Sequence, residues 1–177
     1  SDLKLGILPT ERHIGDHQEA GLKWGLKVCT TNVLAAEVWA THTAGTKRTG
    51  QRTVRLDQQW HQANIHVIGV QEARTPQGRY HAPHYHILAS GAHCKRAPLY
   101  GCELWIHKTL PIATDPQGKP IALGKALLTV QHADPRRLMV EAKIGHYVYA
   151  FIVLHAPSLA SAAQDVPDPI EAATQWW

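Results

Sequence analysis

The chain is poor in cysteine, has one phenylalanine and one methionine, and contains no long apolar run. Cys29, Cys94 and Cys102 are odd in number and form no Cys-x-x-Cys. That argues against a disulfide framework and against a structural zinc site, and it suits a reducing, intracellular compartment. No apolar stretch approaches the roughly 18 residues that a membrane-crossing helix needs, so no membrane span is expected. No secretory signal opens the sequence, and the first residue is Ser1 rather than Met. The chain therefore reads as excised from a longer polypeptide. Gln175, Trp176 and Trp177 point the same way, since two tryptophans at a bare terminus would expose large apolar rings. Charge of one sign is also scarce. Eighteen Lys and Arg against 14 Asp and Glu leave a formal +4. That balance is compatible with a phosphate-bearing partner without demanding one.

What is present suits one soluble domain. The 177 residues are 44% hydrophobic and 18% charged, enough for a real core. Thirteen histidines are many for this length, and most are scattered singly.

Residues 1–22 show no sustained period and are broken by Gly6, Pro9, Gly15 and Gly21, which reads as a loop or arm. Residues 23–177 carry the folded part. Trp24 to Val33 alternates as a strand and closes on Asn32. Thr41 to Gly50 is a polar basic loop, and Arg52 to Asn64 has helical spacing with Leu56, Trp60 and Ala63 on one stripe. Lys47, Arg48, Arg52 and Arg55 form a basic cluster, which could meet phosphates or be a solvated face.

Ile65 to Val70 is a β-branched run suited to a buried strand. It stops at Gln71 and Glu72. A carboxylate at the C-terminal end of a buried strand is where α/β folds place chemistry. A hard cation would suit it; pairing with Arg74 is the plain alternative. Thr75 to Pro83 reads as loop. His84 to Ser90 and Tyr100 to His107 read as an antiparallel pair, and Thr109 to Gly124 is too rich in Pro and Gly for any regular element. Short strands follow at Ala126 to His132 and Arg137 to Ile144. After a Gly145-His146 turn comes the most apolar strand, Tyr147 to Leu154, which ends at His155-Ala156-Pro157. Asp165 to Trp177 begins a helix. The order implies an α/β (α+β mixed) fold, a mixed sheet with helical cover.

Three polar residues thus end three strands: Asn32, Glu72 and His155. If those ends share one edge, they suit phosphodiester hydrolysis. The carboxylate would hold a divalent cation, the histidine would move a proton near neutral pH, and the amide would orient a phosphate oxygen.

These residues carry a resemblance. Lys27 to Val33 closing on Asn32, Val67 to Glu72 closing on Gln-Glu, Gly101 to Ile106, and Phe151 to Pro157 with His-Ala-Pro are similar, in that order, to the motif strands of the endonuclease/exonuclease/phosphatase family. That family includes pancreatic-type deoxyribonucleases, abasic-site endonucleases, sphingomyelinases, inositol polyphosphate phosphatases and non-LTR retrotransposon endonucleases. The resemblance covers residues 24–177 and implies the N-terminal portion of a four-layer α/β sandwich. It implies Glu72 as a ligand of Mg2+ (or Mn2+), with Asn32 orienting phosphate and His155 donating a proton.

The basic residues Lys47, Arg48, Arg52 and Arg74 favour nucleic acid, most readily DNA, and a nuclear site if the chain is retroelement-derived. The family's later Asp-x-Asn and Asp-His pairs have no counterpart in this chain. A non-catalytic remnant or binding module therefore stands as the alternative, and a phosphoinositide or sphingomyelin phosphodiesterase as a further one.

Overall fold

The computed structural model describes residues 24–33, 50–92 and 100–156. The expected N-terminal arm, the basic residues Lys47 and Arg48, and the helix expected over 165–177 lie outside them. The described chain forms strand β1 (Val28–Asn32), helix α1 (Gln51–Gln62), and strands β2 (Val67–Gln71), β3 (Gly78–His81), β4 (Tyr85–Ala89) and β5 (Glu103–His107). Two short strands follow, β6 (Ala113–Thr114) and β7 (Pro120–Ile121). The long strands β8 (Leu127–Asp134), β9 (Arg137–Ile144) and β10 (Tyr147–Leu154) complete it. The content is mixed α/β, mostly strand, with one α-helix among the described residues.

The β1–α1–β2 opening makes β1 and β2 parallel neighbours, with Asn32 opposite Gln71. Every other pairing is antiparallel. A five-stranded sheet runs β1-β2-β5-β4-β3, and a separate three-stranded sheet runs β10-β9-β8.

Strand alternation sends side chains to two cores. Ile68, Val70, Tyr85, Ile87 and Trp105 face one side of the larger sheet, where Leu56 and Trp60 of α1 cover them. Trp60 meets Trp105 edge-on at 4.9 Å between ring centroids. Such a pair contributes about 0.5–1.5 kcal/mol beyond burial. Val67, Leu104 and Ile106 face the other side. There they pack on Leu138, Val140, Ala142 and Val153 of the smaller sheet. Gly69 lets β10 approach closely: a Cβ there would meet the Val153 methyl at 3.3 Å.

Several expectations need correction. Thr75 to Pro83 is not all loop, because β3 pairs with β4 from Gly78↔Ala89 to His81↔His86. Gly78 and the neighbouring prolines had disguised it; an edge strand tolerates both. The Pro- and Gly-rich stretch after Thr109 does hold regular structure, in β6, β7 and a 3-10 turn at Leu123–Lys125. Ala63 is exposed, while Thr53 and Asp57 lie on the buried face of α1. On β1 it is Cys29 that packs against the core, and Val28 is 58% exposed.

Candidate functional site

The parallel register of β1 on β2 sets Asn32 beside Gln71, so Glu72 emerges next to the Asn32 amide. The smaller sheet is brought to the same edge by Gln71, whose Nε2 donates to the Leu154 carbonyl at 2.6 Å. His155 then leaves β10 beside Glu72. Asn32 Nδ2 donates to Glu72 Oε1 at 3.2 Å, and His155 Nε2 lies 3.3 Å from the same oxygen. Arg74 Nη2 stands 3.5 Å from Glu72 Oε2. Asn32, Glu72 and His155, expected from the sequence as three strand ends, therefore meet at one carboxylate.

The backbone around this carboxylate is unusual. Glu72, Arg74 and Tyr100 all have positive φ, at 53°, 55° and 63°. Left-handed non-glycine residues cost of the order of 1–3 kcal/mol each and cluster at functional sites. Two bonds hold them: Ala73 N–H donates to the Gly101 carbonyl at 3.0 Å, and Arg74 N–H to the Tyr100 carbonyl at 2.9 Å. Gly101 has φ +93°, and a Cβ there would stand 3.0 Å from the Arg74 amide.

Burial raises the Glu72 pKa. The hydrogen bonds from Asn32 and His155, with the charges of His155 and Arg74, outweigh it and hold the carboxyl below its usual 4.5. Glu72 is thus an anion at neutral pH, one-fifth exposed at its side chain.

A single partly exposed carboxylate suits Mg2+, which binds through one or two carboxylates and keeps several waters. Glu72 fits as one such ligand. Among the described residues no group of three or more His, Cys, Asp or Glu is placed to hold a metal ion, so water and substrate oxygens would complete the shell.

The basic residues separate. Arg74 lines the site. Arg52 donates from Nη2 to the Val33 carbonyl, which ties α1 to the end of β1. Part of its expected phosphate-binding capacity is therefore spent within the fold.

The sequence reading missed two residues that the turn between β8 and β9 and the approach to β5 bring to the site. Arg136 lies over the Tyr100 ring, 3.8 Å from its centroid, and touches His155. The Asp134-Pro135-Arg136 turn between two strands was the available signal. A further cluster missed from sequence lies at the opposite end of β4 and β5. Its members are Asp57, His61, His84 and His107, with His84 Nδ1 2.6 Å from Asp57 Oδ2 and His61 Nδ1 2.9 Å from His107 Nε2.

No known family model matches the chain, and no curated protein matches it. Among the described residues no helix is long and apolar enough to cross a membrane.

Proposed function

We propose that this chain is the N-terminal portion of a metal-dependent phosphodiesterase of the endonuclease/exonuclease/phosphatase type, most suited to DNA. One observation carries the reading: Asn32 Nδ2 and His155 Nε2 converge on one oxygen of Glu72, from three separate strands. The described layers, α1 on a five-stranded sheet on a three-stranded sheet, are compatible with part of a four-layer sandwich.

In this reading Glu72 holds Mg2+ (or Mn2+). The cation, when bound, neutralises phosphate charge and lowers the pKa of water. The chain's own residues do the rest. Asn32, released from Glu72, donates its amide N–H to a phosphate oxygen without adding charge. His155 donates a hydrogen bond from its Nε2–H to an oxygen of the scissile group. Arg74 beside Glu72 and Arg136 beside His155 bring two permanent positive charges to the site, which favours a phosphate over a neutral ligand.

The test is nicking of supercoiled plasmid by the 177-residue chain with Mg2+. Nicking that needs Mg2+ and is lost in both Glu72→Ala and His155→Ala supports the proposal. Nicking that survives Glu72→Ala contradicts it.

A second reading is a non-catalytic binding module of the same fold. Among the described residues β1 and β10 stand at sheet edges and favour it, since Val28, Val148 and Ile152 are each more than half exposed. Apolar side chains on open strand edges suit a protein partner. A folded chain that does not nick, either alone or with the sequence downstream of Trp177 restored, and that retains DNA no better than Lys and Arg on its surface would, selects this reading.

A further inference from the structure

We propose that Arg136 is a positioning residue: it holds the His155 imidazole in the tautomer that carries its proton on Nε2, aimed at Glu72. The inference starts from the turn between β8 and β9. Asp134 Oδ1 accepts the backbone N–H groups of Arg136 and Arg137, both at 2.8 Å, and Oδ2 accepts Arg137 Nε at 2.6 Å. The turn is then fixed to the site from two sides. Gly101 N–H donates to the Pro135 carbonyl at 2.7 Å, and His155 N–H donates to the Arg136 carbonyl at 2.8 Å.

The same residue that anchors the His155 backbone also faces its ring. Arg136 Nη1 stands 3.5 Å from His155 Nδ1 and 3.4 Å from the His155 carbonyl. The guanidinium carbon lies over the Tyr100 ring, whose centroid is 5.4 Å from that of His155.

A guanidinium has donors and no acceptor. It therefore meets a lone pair on Nδ1 favourably and an N–H on Nδ1 donor to donor. The contact is long, so its weight comes from charge rather than from a short hydrogen bond. A fixed cation beside one ring nitrogen assigns the hydrogen to the other. Nε2, the nitrogen 3.3 Å from Glu72 Oε1, then bears the hydrogen and donates to the carboxylate.

Glu72 by itself also favours a proton on Nε2, so the two influences must be separated. In the proposed reaction a cation, when bound, would occupy the Glu72 oxygens. Arg136 is the group that keeps the hydrogen on Nε2 when that happens. This catalytic consequence rests on the function proposed above; the tautomer itself does not.

The experiment is a long-range proton–nitrogen correlation spectrum of histidine-labelled protein, at a pH where the rings are neutral and without substrate. His155→Gln identifies the His155 signals. In the wild-type chain and in Glu72→Ala, His155 is expected as the Nε2–H form alone. In the double variant Glu72→Ala/Arg136→Met the Nδ1–H form is expected to appear beside it.

Glu72→Ala/Arg136→Gln gives the same answer with a polar side chain of similar reach, should the methionine variant not fold, because an amide can turn either its oxygen or its nitrogen to the ring. Retention of the Nε2–H form alone in these double variants overturns the proposal and leaves Arg136 as packing for Tyr100. A chain that shows the expected tautomers but hydrolyses no phosphodiester sinks the proposed function and not this inference.

Discussion

The side-chain amide of Gln71 donates to the main-chain carbonyl of Leu154 at 2.6 Å, across the gap between the two sheets. That bond joins the last residues of β2 and β10, and the candidate site lies one residue beyond each. Replacing Gln71 by Ala removes the donor and leaves a carbonyl to find water. A net loss of about 0.5–1.5 kcal/mol follows from one such bond. Urea unfolding measures it. The larger effect is expected at the site, where His155 and Glu72 lose the tie that sets their separation. Selective changes in the His155 ring signals, with the core spectrum preserved, are the expected sign.

Much of this arrangement was legible in the sequence. Leu138, Val140 and Ala142 alternate with Arg137, Met139, Glu141 and Lys143 in β9, and all three are buried. Glu72 and Asn32 could be placed because a polar residue ending an apolar run is visible without coordinates. The β1 face was not legible. Val28 and Cys29 are both apolar, and an edge strand that buries one face only shallowly gives period-two reasoning little contrast. Asp57 is a charged residue of α1 off the Leu56, Trp60 and Ala63 stripe, yet it is fully buried. Its partner, the N–H and ring of His84, comes from 27 residues away. No local pattern encodes such a pairing. Arg136 was missed for the same reason, since its partners Tyr100 and His155 arrive from other parts of the chain.

The histidine cluster predicts a pH dependence. His107 is pushed down to about 4, chiefly by burial and then by the like charges of His61, His84 and His66. Its Nδ1 also accepts the Thr109 and Leu110 N–H groups, at 3.2 and 2.8 Å, which only an unprotonated nitrogen can do. In the unfolded chain the ring titrates near its ordinary 6.5. Between those values the unfolded state binds more protons than the folded state, so stability falls as pH falls from about 6.5 to about 4. Glu72, with its lowered folded pKa, adds a loss of the same sign below its ordinary 4.5. Urea midpoints across this range should decline in the wild-type chain. His107→Gln should show a shallower slope between 6.5 and 4, from a lower starting stability.

Gly124 tests the packing of the 3-10 turn. A Cβ at that position would overlap the backbone of Lys108, including its carbonyl oxygen. Backbone cannot rotate aside as a side chain can. Gly124→Ala is therefore expected to destabilise by at least the ~1–3 kcal/mol typical of overpacking. Gly118→Ala serves as the comparison: it has no neighbour within 4 Å, and its cost comes from its positive φ of 82° alone. Thermal unfolding of the two variants should rank Gly124→Ala as the less stable.

The Nε2–H hydrogen bond assigned to His155 predicts a rate effect. Loss of one positioned donor to developing charge costs ~10²–10³-fold. His155→Ala should reduce Mg2+-dependent nicking within that range while leaving the folded spectrum intact. Asn32→Asp should be more damaging than Asn32→Ala, because it sets a second carboxylate against a phosphate. Initial rates on supercoiled plasmid decide both.

The proposed phosphodiesterase requires a divalent cation at Glu72, between Asn32 and His155. Titration of the isotope-labelled chain with Mn2+ tests it most directly, since a paramagnetic ion broadens signals according to distance. The account predicts that the Asn32 side-chain amide and the His155 ring broaden first, that excess Mg2+ reverses this, and that Glu72→Gln abolishes it. Broadening that begins elsewhere, or that persists at Asn32 and His155 in Glu72→Gln, would contradict the account.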